Sequence, residues 1–485
     1  MTTMMTKRLT VLAAALVLAG CSMAPKYERP ASPLAGDWPA SGLATANAEQ
    51  GGQAGVAAAA LEWQSFFSDP QLRKLIEVSL ANNRDLRIAV LTIEQTRAQY
   101  QISRANQFPT IGAAASGSRQ PNVNGKGSIT SVYTAGLAMT SYEIDFFGRV
   151  ASLKDAALSL YLASEEGRKT TQISLISAVA NTYLSVLADQ ESLAITQQTL
   201  DSRVASLQLS QLRFDNGVSS ELDLRQSQSL VEAARVSLAQ LQRQRALDEN
   251  ALSLLLGQPL IGDLAVVLPT GQGLADRPVM ADVPAGLPSD LLTLRPDIRQ
   301  AEQQLLAANA NIGAARAAFF PKISLTASAG SASSNLSGLF DSGTYGWTLA
   351  PQLFLPLFDA GRNQAGLEVS KATRDIAVAQ YEKTIQTAFR EVADALAGRA
   401  TLGVQLQAQQ AQSAAEAARF KLSDLRYQNG IANQLELLDA QRALFFAQQA
   451  VVQTRLLQLQ NQVTLYKTLG GGWKESAQTT AVATP

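Results

Sequence analysis

Apolar residues recur at a step of seven along two long stretches of the chain. In the first, Val179, Val186, Leu193, Leu200, Leu207 and Phe214 share one phase, and Leu224, Val231, Leu238 and Leu252 resume after Asn216-Gly217. In the second, Val392, Leu406, Phe420 and Tyr427 precede Asn429-Gly430, and Leu437, Leu444, Val451 and Leu465 follow it. A sustained step of seven predicts helices packed in the manner of coiled coils. The polar break at Arg245 recurs as Gln458. Ala and Gln fill the remaining faces, so each helix has small, weakly charged sides to set against neighbours. No proline interrupts 149–214, and a continuous helix there reaches about 100 Å at 1.5 Å per residue.

Between the helical stretches the period changes to two, which predicts strands. In Ile323-Ser324-Leu325-Thr326-Ala327-Ser328-Ala329-Gly330 the odd positions are apolar and the even ones small or polar. Tyr345, Trp347 and Leu349 alternate with Gly346, Thr348 and Ala350, and Tyr133, Ala135, Leu137 and Met139 alternate with Thr134, Gly136, Ala138 and Thr140. Ile111 to Ser116 gives a weaker fourth case. Gly-, Asn- and Ser-rich linkers at 119–130 and 331–344 join the strands into two hairpins. The apolar phase flips to Tyr142, Ile144 and Phe146, which suits a bulge or bend after Met139.

The same unit occurs twice. Asp85-Leu86-Arg87, Arg104 and Phe108-Pro109 match Asp297-Ile298-Arg299, Arg316 and Phe320-Pro321 at a spacing of 212. Gly148-Arg149, Leu212 to Gly217 and Leu256-Gly257 match Gly361-Arg362, Leu425 to Gly430 and Leu469-Gly470 at 213. The one-residue change is expected between Met139 and Gly148. The 485 residues are thus better explained as two copies of one helix–hairpin–helix unit than as three globular domains.

The N-terminus carries an address. Lys7 and Arg8 precede an apolar run from Leu9 to Ala19, followed by Leu18-Ala19-Gly20-Cys21, the order of a secretory signal peptide. The run is too short to span a membrane. Cys21, the only cysteine, stands where a bacterial lipoprotein is cleaved and acylated, and Ser22 after it goes with outer-membrane sorting. The alternative is an ordinary signal peptide with an incidental cysteine. Removal of Lys7 and Arg8 leaves 38 basic against 40 acidic side chains. That balance gives no electrostatic footprint for nucleic acid. The chain has no histidine, which removes the commonest general base and metal ligand. No CxxC pair, no nucleotide-binding glycine loop and no convergent acid, base and nucleophile is found. Neither an enzyme nor a cofactor is expected.

An outer-membrane address changes the reading of the hairpins. Alternation with one apolar face also suits a hairpin on a soluble core. No segment reads as a membrane-spanning helix, however, and only helices or closed barrels satisfy their backbone in lipid. Four strands are too few to close, so several chains must share one barrel, and three chains supply twelve strands.

These features resemble the outer-membrane factor family, the TolC-like exit ducts of bacterial efflux and secretion machines, and most of all its lipoprotein drug-efflux branch. The resemblance rests on Trp63-Gln64-Ser65-Phe66-Phe67-Ser68-Asp69-Pro70, Leu294-Arg295-Pro296-Asp297-Ile298-Arg299, Phe320-Pro321-Lys322-Ile323, Leu357-Phe358-Asp359-Ala360-Gly361-Arg362 and Leu465 to Trp473, in that order on the duplicated frame. It implies a mainly α fold with a membrane β-barrel: a homotrimer with one twelve-stranded β-barrel continuous with a twelve-helix α-barrel tunnel. The chain then divides into a signal peptide (1–20), a lipid-anchored extended tether (21–62), a first repeat (63–260), an equatorial connector (261–290), a second repeat (291–473) and a flexible tail (474–485). The β-hairpins fall at about 108–145 and 320–358, and the helical tips near 215–218 and 428–431.

The resemblance also implies a site. Leu435, Glu436, Asp439 and Arg442 match positions that form the closed periplasmic constriction. Glu436 and Asp439 stand three apart on one helical face, and Arg442 stands three beyond, within reach of Asp439 of its own or a neighbouring chain. A solvated charged face is the alternative. The first repeat has Asp223 in place of Glu436 but Gln226 in place of Asp439, so the second hairpin is expected to move more. Arg213, Asn216 and Gly217, with Arg426, Tyr427, Asn429 and Gly430, are the expected contacts for a periplasmic adaptor that couples to an inner-membrane, proton-driven pump. The implied function is a passive, gated exit duct for drugs or toxic compounds, held to outer-membrane lipid through Cys21. The exit duct of a type I protein secretion system and a poreless lipid-anchored coiled coil are the alternatives.

Overall fold

The computed structural model describes residues 23–31, 33, 58, 61–121, 129–260, 273–274, 280–281, 283 and 291–474. Cys21, the leader, most of the tether, most of the connector and nearly all of the tail lie outside the described residues. The chain falls into two units, one comprising Met1–Ser32, Leu91–Glu165 and Arg299–Lys383, the other Pro33–Val90, Glu166–Ile298 and Thr384–Pro485.

The first repeat runs α1 (Trp63–Phe66), α2 (Pro70–Asn82), α3 (Arg84–Ala105), β1 (Ile111–Pro121), β2 (Ile129–Ile144), α4 (Arg149–Asp215) and α5 (Glu221–Leu256). The second runs α6 (Leu291–Leu294), α7 (Pro296–Ala317), β3 (Lys322–Ser333), β4 (Tyr345–Phe354), α8 (Arg362–Gln428) and α9 (Gln434–Thr468). Helices α4 and α8 each contain 67 residues, about 100 Å of helix. Each starts under an aspartate that accepts orphan amides: Asp145 takes Arg149 and Ala151 N–H at 2.7 and 2.8 Å, and Asp359 takes Gly361 and Asn363 N–H at 3.0 and 2.9 Å. An 18-residue stretch of α4 is long and apolar enough to cross a membrane, contrary to the expectation that none was, but 67% of it is buried within the chain. Its apolarity is that of a packed helix.

In the first unit the four strands form one antiparallel sheet in the order β1-β2-β3-β4. Ala113, Leu137, Ala329 and Trp347 line up across all four strands on the apolar face. Gly136 and Gly330 lie opposite each other so closely that a Cβ on either would sit 2.3 Å from a carbonyl oxygen of the facing strand. The β2–β3 register shifts between Met139 and Tyr142, where Ser141 has a φ of 52°. This bulge puts an extra residue on the first repeat, so it does not by itself produce the longer spacing of the second. Ile111 faces Met139 while its counterpart Ile323 faces Leu353, which makes the β3–β4 hairpin two residues longer and the spacing 214 before the bulge returns it to 213. Residues 23–31 lie against α7: Arg29 grips Glu302 with two hydrogen bonds at 2.7 and 2.9 Å, and Asn309 donates to the Pro25 carbonyl at 2.8 Å.

In the second unit two of the segments that carry the family resemblance meet. Phe66 stacks on Tyr466 at 4.0 Å, and the Tyr466 hydroxyl donates to the Leu61 carbonyl at 2.7 Å. Asp69 caps α2 and accepts the Tyr183 hydroxyl at 2.9 Å. Buried Arg295 bridges Asp297 at 2.6 Å, Glu391 at 2.9 Å and the Thr468 carbonyl at 2.9 Å. Of the residues at a step of seven, Val179, Val186, Val231, Leu252 and Val392 are fully buried, but Phe214 is exposed.

The Gln- and Ser-rich faces have a specific use. Along α9, Gln434, Gln441, Gln449 and Gln460 donate side-chain amides to Ser210, to Ser202 and Ser206, to Thr196, and to Ser185, all on α4. This polar ladder joins the two helical hairpins with neutral hydrogen bonds.

Candidate functional site at the hairpin turns

Both helical hairpins reverse through the same backbone device. Gly217 N–H donates to Phe214 at 2.9 Å and Val218 N–H to Arg213 at 2.9 Å; Gly430 N–H donates to Tyr427 at 3.1 Å and Ile431 N–H to Arg426 at 2.9 Å. These are paired Schellman closures, and each glycine has a φ of 72°, the left-handed conformation such an ending requires. Asn216 and Asn429 side chains each return to a carbonyl four residues back at 2.7 Å. Helix α5 then opens with a Ser220–Asp223 capping box, and α9 with Asn433 accepting Glu436 N–H at 3.0 Å. The apolar side chains of Leu212, Val218 and Leu222 are exposed, as are their counterparts Leu425, Ile431 and Leu435.

The two turns differ in their side chains. Arg213 lies 4.4 Å over the ring of Tyr427, so two of the residues expected to contact an adaptor touch each other. That contact covers Tyr427, whereas Phe214, the aromatic at the equivalent place, has no such cover. Gln434 donates to Ser210 at 3.0 Å, to Ser227 at 2.5 Å and to the Asp223 carbonyl at 3.1 Å, a buried polar knot beneath the turns.

Charges are arranged around Asp439. Its closest cation is Arg419 of the facing helix α8, at 2.5 Å; Arg442, the partner expected from spacing, is at 3.5 Å. Arg419 also pairs with Glu416 at 3.2 Å, and its hydrogen bond to Asp439 raises its pKa. Glu436 lies 3.4 Å from Arg426 and accepts Ser423 at 3.4 Å. Arg419 was absent from the sequence reading, yet its signal was there: the first repeat has Ser206 at that place and Gln226 at that of Asp439, so cation and anion are gained together. Deeper in, Arg203 is buried, donates to the Leu230 carbonyl at 3.0 Å and lies 5.4 Å over Phe445; burial and then the charge of Arg442 lower its pKa. Chemically, these are weak charged contacts at a hairpin end above buried hydrogen bonds that are neutral apart from the guanidinium of Arg203.

The family model described as outer membrane efflux protein matches residues 75–258 and 287–471. The antibiotic efflux pump outer membrane protein ArpC of Pseudomonas putida is 49% identical over 491 residues, covering 99% of this chain and 100% of the relative. The toluene efflux pump outer membrane protein TtgC of Pseudomonas putida matches with the same identity and coverage. Among solved structures, the open state of the MtrE outer membrane channel of Neisseria gonorrhoeae is similar with a TM-score of 0.83 and 40% identity, over 94% of this chain and 99% of that one. The chain therefore belongs to the outer membrane efflux protein family, a family of ducts rather than of enzymes, and its place is the outer membrane of a Gram-negative bacterium.

Proposed function

We propose that three copies of this chain form one exit duct, with a shared twelve-stranded barrel and a tunnel of twelve helices, anchored through acylated Cys21. The duct is passive. A periplasmic adaptor engages the hairpin turns and couples them to a proton-driven inner-membrane pump, which supplies both energy and choice of cargo. Relatives named for toluene and antibiotic efflux support small amphipathic toxicants as that cargo.

The observation that carries the gated reading is the position of Asp439 between Arg419 and Arg442, three residues beyond Glu436 and beside the Asn429-Gly430 turn. Three copies bring these charges and Leu435 near a common axis, where the exposed pairs act as a latch that docking can open. Such pairs are screened by water and salt, so a partner needs little free energy to exchange them. The test is complementation of an efflux-deficient strain with the wild-type chain, measuring susceptibility to toluene and antibiotics. Restored secretion of a protein without restored tolerance would sink the efflux reading.

A further inference from the structure

We propose that Arg203 is a positioning residue of the latch: it occupies the ring of Phe445 and so leaves the guanidinium of Arg442 to Asp439. This rests on the latch proposed above and adds to it a part supplied by the first hairpin.

Arg203 lies on α4 and is only 5% exposed, yet no carboxylate pairs with it among the described residues. One guanidinium nitrogen donates to the Leu230 carbonyl at 3.0 Å, and Nε is buried with no acceptor. A cation kept out of water with no acid beside it costs stability. Its other contact is the ring of Phe445 on α9, 5.4 Å away. At the repeat spacing of 213 the counterpart of Arg203 is Glu416 and that of Phe445 is Glu232. Neither the cation nor the ring therefore belongs to the pattern of the duplicated unit.

The surroundings bring Arg442 to the same place. Gln441 donates to Ser202 at 3.3 Å and to Ser206 at 3.4 Å, which sets the next residue, Arg442, beside the stretch of α4 that carries Arg203. The charge of Arg442 adds to burial in lowering the pKa of Arg203. Phe445 stands three residues beyond Arg442, on the same side of α9. Without Arg203 that ring is open to Arg442, in competition with its contact to Asp439 at 3.5 Å. With Arg203 in place the ring is taken, and a second cation is repelled from it. Arg442 is left with Asp439.

The test is open probability of the full-length protein in planar bilayers, read beside its melting temperature in detergent. Arg203→Met is expected to raise the open probability about twofold, as Arg442→Ala does, because an exposed pair of this kind is weak. The melting temperature is expected to hold or rise, since the variant removes a buried cation together with its cost. Arg203→Gln keeps a donor for the Leu230 carbonyl but not the charge, and should behave as Arg203→Met. Arg203→Lys keeps the charge and should return to the wild-type value. In the Arg442→Ala background Arg203→Met is expected to add nothing. An effect of the same size in that background, or opening that comes only with a lower melting temperature, shows Arg203 acting through packing alone and overturns the inference. No change with Arg203→Met, in a chain that Asp439→Ala does open, also overturns it and leaves the latch standing. If Asp439→Ala itself leaves the open probability unchanged, the latch falls and the role of Arg203 with it.

Discussion

Arg419 and Asp439 face each other at 2.5 Å across the end of the second helical hairpin, twenty residues apart in sequence and on opposite sides of the Asn429-Gly430 turn. Arg419 is the nearer partner, so Arg419→Ala is expected to raise the open probability in planar bilayers several-fold, and Arg442→Ala less. Arg419→Ala with Asp439→Ala should open the channel no further than Asp439→Ala alone, which already removes the contacts of Asp439 to both arginines. A larger effect for Arg442→Ala than for Arg419→Ala would remove this assignment.

The two amide hydrogens of Gln434 are shared among three acceptors in the knot beneath the turns. Gln434→Leu leaves the Ser210–Ser227 contact at 3.1 Å but strips the Asp223 carbonyl and both hydroxyls of a donor. The expected loss is about 1–2 kcal/mol, read as a lower melting temperature of the detergent-solubilised protein. An unchanged melting temperature would show that the knot is solvated.

Burial, and after it the neighbouring Asp248 on α5, push the Asp189 carboxyl on α4 up to about 7, while Arg245 pulls it down and Glu249 adds to the rise. The folded chain thus holds a proton that the unfolded chain releases near 3.8. Stability from this group is fully present below that value and is lost as pH rises through about 7. Asp189→Asn is expected to flatten the fall in melting temperature between pH 4 and about 7. A fall of the same size in the variant would place the proton elsewhere.

Arg295 is buried among Asp297, Glu391 and the Thr468 carbonyl. Arg295→Met removes the cation that bridges both acids and is expected to cost about 3 kcal/mol, discounted from the fully buried case because Glu391 is 35% exposed. Denaturant midpoints compared with Glu391→Gln check this, and the double variant should be milder than the sum.

The long helices, their turns and the four strands were legible because period and duplication are properties of the chain alone. Phe214 was misplaced because a step of seven continues to the last turn, whereas the partner that covers Tyr427 comes from Arg213 across the hairpin ends. Helical spacing points to Arg442 and not to Arg419, because it shows neighbours on one helix and not those on the next. Comparing the two repeats position by position reveals the gain of Arg419 with Asp439. The glutamines of α9 read as filler because an amide carries no charge and no strong period. Their role depends on the serines and threonines of α4, some 200 to 300 positions earlier in the chain.

The ladder from Gln434 to Gln460 and the ring of ions around Asp439 answer differently to the surrounding medium. Neutral amides keep their hydrogen bonds as ionic strength changes, but exposed ion pairs weaken once the Debye length shrinks below about 10 Å. Brine is therefore expected to loosen the end of the second hairpin while the seam between α4 and α9 holds, so salinity alone acts on the part proposed to open.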